Sequence, residues 1–129
     1  MRLNEGPLLF CSFTDIAANA KKPNDMDFPS QGGTLHGAGL FAALSYDEGK
    51  TWPYKRLVTP GCPERTVGGI DRGIFPLSAT RAEPSGYLAA AQTRDGRIQL
   101  ISSKNHYVFN VAWLRALPHS WARVRVLQG

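Results

Sequence analysis

The chain has 129 residues, of which 43% are apolar and 10% aromatic, and its formal net charge is +5. This length predicts a single domain over 1–129, and the apolar fraction excludes a disordered chain. No apolar run approaches the roughly 18 residues of a membrane helix, and the first residues lack the apolar stretch of a signal peptide. We expect no membrane segment, and the sequence leaves the compartment open.

The 15 basic residues are scattered along the chain. A nucleic-acid-binding face needs basic residues that are clustered and interleaved with aromatics, and only 54–56 and 121–125 come near that pattern. The scatter argues against a nucleic-acid partner and favours solvated strand faces. Cys11 and Cys62 match no metal spacing, and the sequence leaves a bridge between them open.

Period-two alternation predicts strands over 7–13, 38–45, 53–58, 73–77, 86–93, 97–103, 107–114 and 122–127. The alanines of 86–93 make a helix the competing prediction there. Segments rich in Gly, Pro and Asn predict two long loops, over 14–37 and 59–73. Short strands spaced by about ten residues indicate an all-β sandwich, barrel or propeller.

One octad between two predicted strands discriminates among these β folds. Residues 45–52 read Ser-Tyr-Asp-Glu-Gly-Lys-Thr-Trp. In this spacing Asp47 can accept backbone hydrogen bonds across a turn, and Gly49 can adopt a positive φ. Ser45 and Thr51 can bond back to the turn, and Trp52 can cover its base. The octad therefore predicts a hairpin.

This octad resembles the Asp-box, or bacterial neuraminidase repeat, of sialidases and related β-propellers. In that family the box joins the third and fourth strands of a blade, away from the active site. The resemblance implies a structural role for Ser45, Asp47, Gly49, Thr51 and Trp52. It also implies a fold of four-stranded antiparallel blades, and it argues that Asp47 and Glu48 are not catalytic carboxylates.

A second segment, 86–102, is similar to the part of sialidases that carries the tyrosine nucleophile. Tyr87 opens its first strand, and an Asp-Gly hairpin follows at 95–96. The resemblance implies retaining glycoside hydrolysis with Tyr87 as nucleophile and a nearby carboxylate as base, for which Glu83 is the candidate. The candidate substrate-binding residues are His36, Arg81, Asn105 and His106.

The chain departs from the sialidase pattern in its arginines and in its length. Sialidases hold the carboxylate of their substrate with three arginines. The resemblance places one of these arginines in segment 33–40, but this segment contains no arginine, and His36 is its only cationic candidate. Propellers have about four to eight blades of about 40–50 residues each. The chain therefore holds about two blades, approximately 1–60 with the Asp-box hairpin and 61–129.

Two blades cannot close a ring, so we expect self-association, in which three copies would give about six blades, the number in sialidases. We predict a sialidase-like partial propeller that takes a glycan or small sugar and hydrolyses glycosides only when assembled. The alternatives are a non-catalytic carbohydrate-binding or oligomerising module, an inactive gene fragment, and a twisted sandwich of the same strands. No cofactor or metal is expected, because no His/His/carboxylate pattern occurs.

Overall fold

The structure is a computed structural model that describes residues 1–14, 26–59, 65–68, 74–118 and 125–127. The described strands are β1 (Leu8–Phe13), β2 (Met26–Ser30), β3 (Gly33–Gly37), β4 (Leu40–Ser45), β5 (Tyr54–Leu57), β6 (Arg65–Gly68), β7 (Ile74–Leu77), β8 (Leu88–Gln92), β9 (Ile98–Ser102), β10 (His106–Phe109) and β11 (Arg125–Leu127). One short helix, α1 (Val111–Arg115), follows β10. The prediction of a mostly β fold is confirmed.

Two sheets and two separate hairpins make up this architecture. The first sheet has the order β1-β4-β5, and the second has the order β8-β9-β10-β11, so that its strands are neighbours in chain order. The hairpins are β2-β3 and β6-β7. Every pair of these strands is antiparallel, as expected when short turns connect neighbouring strands.

Among the described residues, one apolar cluster joins the two sheets. All six residues of β4 are buried, because this central strand is covered on both faces. In β9 the residues alternate, with Ile98 and Leu100 buried and Ile101 exposed. Trp113 and Leu114 of α1 complete the cluster. Alternation therefore places one face of the second sheet in the core and leaves the other face open.

Both predicted loops contain strands, so the loop predictions were wrong over part of their length. Within 14–37, β2 and β3 form a hairpin, and Gly33 follows its turn with a φ of +120°. Phe28 of this hairpin is buried and packs against Phe41, with ring centroids 6.0 Å apart. Within 59–73, the described residues include β6. Glycines that indicated irregular loops instead belong to hairpins.

The strand predicted over 107–114 is wrong in its second half. It ends at Phe109, and Asn110 caps α1 by accepting a hydrogen bond of 2.8 Å from the Trp113 N–H. This cap favours a helix locally, and α1 buries the adjacent Trp113 and Leu114, which a strand would place on opposite faces. The alanine-rich 86–93 contains strand β8 rather than a helix. Cys11 is a free thiol, and Cys62 lies outside the described residues.

Candidate functional site

The octad at 45–52 forms a hydrogen-bonded turn between β4 and β5. The Asp47 carboxylate accepts hydrogen bonds from the Thr51 backbone N–H at 2.8 Å and from the Thr51 hydroxyl at 2.6 Å. The Ser45 hydroxyl donates to Asp47 and accepts from the Gly49 N–H, each at 2.8 Å. Gly49 has a φ of +87°, which favours glycine. The Asp47 carboxylate is thus engaged within its own turn.

These hydrogen bonds, chiefly the one from the Thr51 side chain, lower the pKa of Asp47 to about 2. Since the pKa in the unfolded chain is about 3.9, this stabilisation is complete above about pH 5 and is lost as the pH falls toward 2. We therefore expect Asp47→Asn to lower the Tm at neutral pH, and the difference from the parent to shrink between about pH 4 and 2. Thermal melts followed by circular dichroism measure this.

Glu48→Gln is the matched control for Asp47→Asn. Glu48 is the next residue, and its exposed carboxylate pairs with Arg2 across the surface, where ion pairs contribute little. The control should change the Tm only slightly at neutral pH. A Tm difference between Asp47→Asn and the parent that stays constant from pH 7 to pH 2 contradicts the prediction.

A buried polar cluster lies at the end of the second sheet, where β9 turns into β10. Glu83 is 0% exposed, and its Oε1 accepts hydrogen bonds of 2.7 Å from the Tyr107 hydroxyl and the Ser102 hydroxyl. The Asn105 amide donates to the same oxygen at 3.3 Å. Oε2 is buried and has no hydrogen-bond partner in the described structure. A buried carboxylate needs such donors, so this cluster fixes the loop before β8 to the β9–β10 turn.

The backbone of the same loop is held by the residues that lead into β4. The Leu40 N–H donates to the Glu83 carbonyl at 2.7 Å, and the Ala82 N–H donates to the Ala38 carbonyl at 2.9 Å. Gly39 permits this close approach, because a Cβ there would lie 2.5 Å from the Ala82 carbonyl oxygen. Glu83 is therefore held between the two sheets.

Tyr87, the predicted nucleophile, follows this loop and is 87% exposed. Its backbone N–H donates to the Ser103 hydroxyl at 2.8 Å. Gly86 before it has a φ of +144°, and a Cβ there would lie 2.8 Å from the Ser103 hydroxyl oxygen. No described residue hydrogen-bonds the Tyr87 hydroxyl. The structure thus fixes the Tyr87 backbone and leaves its ring in solvent, while Glu83 bonds to Tyr107 instead.

The structure brings Asn105 into contact with Glu83, as two members of one buried cluster. Arg81 lies two residues before Glu83 and is partly exposed, and its guanidinium donates to the Thr80 carbonyl at 3.1 Å. Sequence reasoning missed Tyr107. Alternation in β10 marks this residue as a core side chain, and no pattern indicates that its hydroxyl bonds a carboxylate 24 residues away.

The two histidine candidates lie apart from the Glu83 cluster. His36 is on β3, where its Nδ1 pairs across the hairpin with the carboxylate of Asp27, and both side chains are largely exposed. His106 is on the outer face of the second sheet, with its Nε2 2.7 Å from the Gln99 side-chain oxygen. Neither histidine joins a described set of three metal-ligating side chains.

A groove of about 290 Å³ separates β1 from β8. We call it the edge groove. Its lining residues are Met1, Leu9, Phe10, Cys11, Leu88, Ala89, Ala90 and Leu100. Burial raises the pKa of Cys11 to about 12. The thiolate is the nucleophile, so Cys11 carries little of the reactive form at neutral pH.

We expect alkylation of Cys11 by iodoacetamide at pH 8 to be at least about tenfold slower in the folded chain than in urea, because burial raises the pKa of this thiol. Peptide mass mapping distinguishes alkylation of Cys11 from alkylation of Cys62, which lies outside the described residues. The urea-unfolded chain is the control. Equal alkylation rates in the folded and unfolded states contradict the prediction.

The chain matches no protein-family model, no curated protein and no solved structure. Among the described helices, none has the length and apolar character needed to cross a bilayer.

Proposed function

We propose that the chain is a two-blade part of a sialidase-like β-propeller and that its Tyr87 end binds a glycan. The second sheet supports this proposal, because it is a four-stranded antiparallel meander in chain order, as in a propeller blade. The octad supports it as well, since its turn joins β4 and β5, the last two strands of the first sheet.

The observation that carries the proposed glycan site is the exposed ring of Tyr87 on a fixed backbone. Tyr87 is 87% exposed just before β8, so its ring is available for contact, and tyrosine rings combine an apolar face with a polar tip at binding surfaces. Ser103 holds its backbone, and the Glu83 cluster holds the loop before it. A preorganised aromatic face with polar groups nearby fits the apolar face and hydroxyls of a sugar ring.

Hydrolysis would require more groups than the described chain presents at Tyr87. A tyrosine nucleophile must lose its proton to a base as it attacks the anomeric carbon, and the leaving group must receive a proton. Glu83 is fully buried and accepts from Tyr107, so it does not reach the Tyr87 hydroxyl. This favours binding by the single chain, with turnover only when other blades supply the base, the acid and the arginines.

A panel of immobilised glycans and a panel of aryl glycosides test binding and turnover separately. We expect the parent to bind glycan, turnover to occur only in the assembled form, and a loss of affinity of about tenfold or more in Tyr87→Ala, because the ring contact is removed. Tyr87→Phe should keep most of the affinity. Tyr46→Ala is the matched control, because Tyr46 is also exposed but lies in the octad, away from the Tyr87 end. Unchanged glycan binding by Tyr87→Ala, or no binding by the parent at millimolar glycan, overturns the proposed site.

Self-association is the second part of the proposal, and the open face of the second sheet supports it. Ile101 on this face is 52% exposed and lies opposite exposed Ala89 in the pairing of β8 with β9. Burying this face on a second copy would remove apolar surface from water. Light scattering should give a trimer for the parent and a smaller species for Ile101→Lys. A parent that is monomeric at high micromolar concentration overturns ring formation by self-association.

A further inference from the structure

Two arginines lie over aromatic rings on one face of β5. Cζ of Arg56 is 4.1 Å from the centroid of the Trp113 ring, and Cζ of Arg115 is 5.1 Å from the centroid of the Tyr54 ring. Tyr54 and Arg56 are two residues apart on the strand, so their side chains share a face. Arg115 is the last residue of α1 and also lies over the Tyr46 ring. We call Tyr54, Arg56 and Arg115 the arginine face.

Arg56 uses only part of its guanidinium within the fold. Its Nη1 donates to the carbonyls of Trp113 and Ala116, whereas its Nε and Nη2 have no hydrogen-bond partner among the described residues. The buried side-chain atoms of the described chain that lack a partner are Glu83 Oε2 and Trp113 Nε1, so both of these Arg56 nitrogens keep contact with solvent. A guanidinium that is otherwise buried therefore has two donors left for a ligand.

No described carboxylate neutralises either arginine. Burial is the cause that lowers the pKa of Arg56, and hydrogen bonding with Tyr54 is the main cause that raises the pKa of Arg115, so the groups that act on these two guanidiniums include no acid. All acidic side chains in the described ranges have partners elsewhere. These side chains are Glu5, Asp27, Asp47, Glu48, Glu83 and Asp95.

Apolar surface lies beside these two positive charges. The Tyr54 ring is half-buried and meets the exposed Tyr46 ring edge to face, with centroids 5.9 Å apart. Leu117 directly follows Ala116, whose carbonyl accepts from Arg56, and its side chain is exposed. Tyrosine offers an apolar ring with a polar tip, which suits contact with another side chain. The arginine face therefore combines unpaired positive charge with an apolar contact.

We propose that the arginine face binds an acidic peptide segment, whose carboxylates accept hydrogen bonds from Arg56 and Arg115 and whose neighbouring apolar side chain packs on Tyr54. Charge complementarity selects this partner, because the chain has a net charge of +5 and its described acids are already engaged. The planar guanidinium matches a carboxylate with two parallel donors. A nucleic acid would need a longer row of basic residues interleaved with aromatics than this face presents.

This inference is independent of the proposed glycan site, because β5 and α1 form the arginine face, whereas Tyr87 precedes β8. An NMR titration of the arginine Nε–Hε signals tests it with the capped peptide Ser-Glu-Tyr-Glu-Ser. We expect the signals of Arg56 and Arg115 to shift and saturate. The capped peptide Ser-Gln-Tyr-Gln-Ser is the control ligand and should bind at least about tenfold more weakly, since it keeps the shape without the charge.

Three variants test the contribution of Arg115. Arg115→Gln should weaken binding of the acidic peptide by about tenfold or more, because one charged donor is lost. Arg115→Lys should recover less than half of that loss on a logarithmic scale, because an ammonium lacks the planar fork. Arg94→Gln is the matched control, since it removes the same charge from an exposed position in the turn between β8 and β9, and it should bind as the parent does. Circular dichroism checks that all three variants fold.

Four results would overturn the inference. The first is an absence of binding of the acidic peptide at millimolar concentration. The second is equal binding of the glutamine peptide. The third is an equal loss of binding in Arg115→Gln and Arg94→Gln, which would mean that the net charge alone attracts the peptide. The fourth is a decrease of the molecular mass in light scattering when the acidic peptide is added, which would assign the arginine face to a contact with a second copy.

Discussion

Arg56→Ala is expected to lower the free energy of unfolding by about 3–5 kcal/mol. Arg56 is only 9% exposed, and its guanidinium donates to the carbonyls of Trp113 at 2.9 Å and Ala116 at 3.3 Å. The guanidinium also lies 4.1 Å from the centroid of the Trp113 ring. Burial lowers the pKa of Arg56 to about 10. The alanine variant removes the guanidinium donor from both carbonyls, so that the Trp113 carbonyl keeps only the 3.2 Å bond from the Ala116 N–H, and it leaves a cavity beneath the indole.

Urea denaturation followed by Trp fluorescence measures this effect. Arg56→Lys separates charge from shape. An ammonium keeps the charge but lacks the planar guanidinium that stacks on the indole, so this variant should recover less than half of the loss. Lys55→Ala is the matched control, since its side chain lies on the opposite face of β5, and it should change the free energy by less than about 1 kcal/mol. A loss below about 1 kcal/mol in Arg56→Ala contradicts the prediction.

The features that could be predicted from the sequence are those fixed by neighbouring residues. The turn at 45–52 is one example, because the Asp47 carboxylate bonds groups only four residues away. Strand β9 is another, since period-two alternation alone decides which of its residues face the core. In both places local chemistry and global fold agree, and the prediction succeeds.

The parts that could not be predicted depend on distant partners. The Arg56 guanidinium donates to the Trp113 carbonyl, 57 residues further along the chain. Arg56 is buried here, whereas arginine side chains are usually exposed. β2 was missed because its polar and proline-containing sequence resembles a loop, although Phe28 anchors it in the core. Amino-acid composition and hydrophobic periodicity do not predict these contacts, because the contacts form only when the sheets pack.

The Glu83 cluster links the loop before β8 to β10. Glu83→Ala is expected to lower the free energy of unfolding by about 3–5 kcal/mol. This variant removes the carboxylate that accepts from Ser102, Asn105 and Tyr107. The weaker 3.2 Å bonds from Ser102 to the Asn105 carbonyl and from Asn105 to the Tyr107 hydroxyl stay in place. Glu83→Gln keeps the side-chain volume and one acceptor oxygen. It should lower the free energy by about 1–2 kcal/mol, and Tyr107→Phe should do the same.

Urea denaturation of Glu83→Gln, Tyr107→Phe and the double variant forms a thermodynamic cycle. We expect a coupling energy of about 0.5–3 kcal/mol, because the two side chains share one hydrogen bond of 2.7 Å. Tyr87→Phe is the control, since no described residue bonds its hydroxyl, and it should leave stability unchanged. Additive effects of the two substitutions contradict the prediction.

The same variants separate a positioning role for Glu83 from a catalytic one. If Glu83 acts only by holding the loop, Tyr107→Phe should weaken the proposed glycan binding at the Tyr87 end about as much as Glu83→Gln does, because both weaken the same contact. A base at the reacting atoms would behave differently, since Glu83→Gln alone would abolish turnover in the assembled protein while binding persisted. The 0% exposure of Glu83 favours the first outcome, because a side chain without solvent contact cannot meet a sugar unless the loop opens.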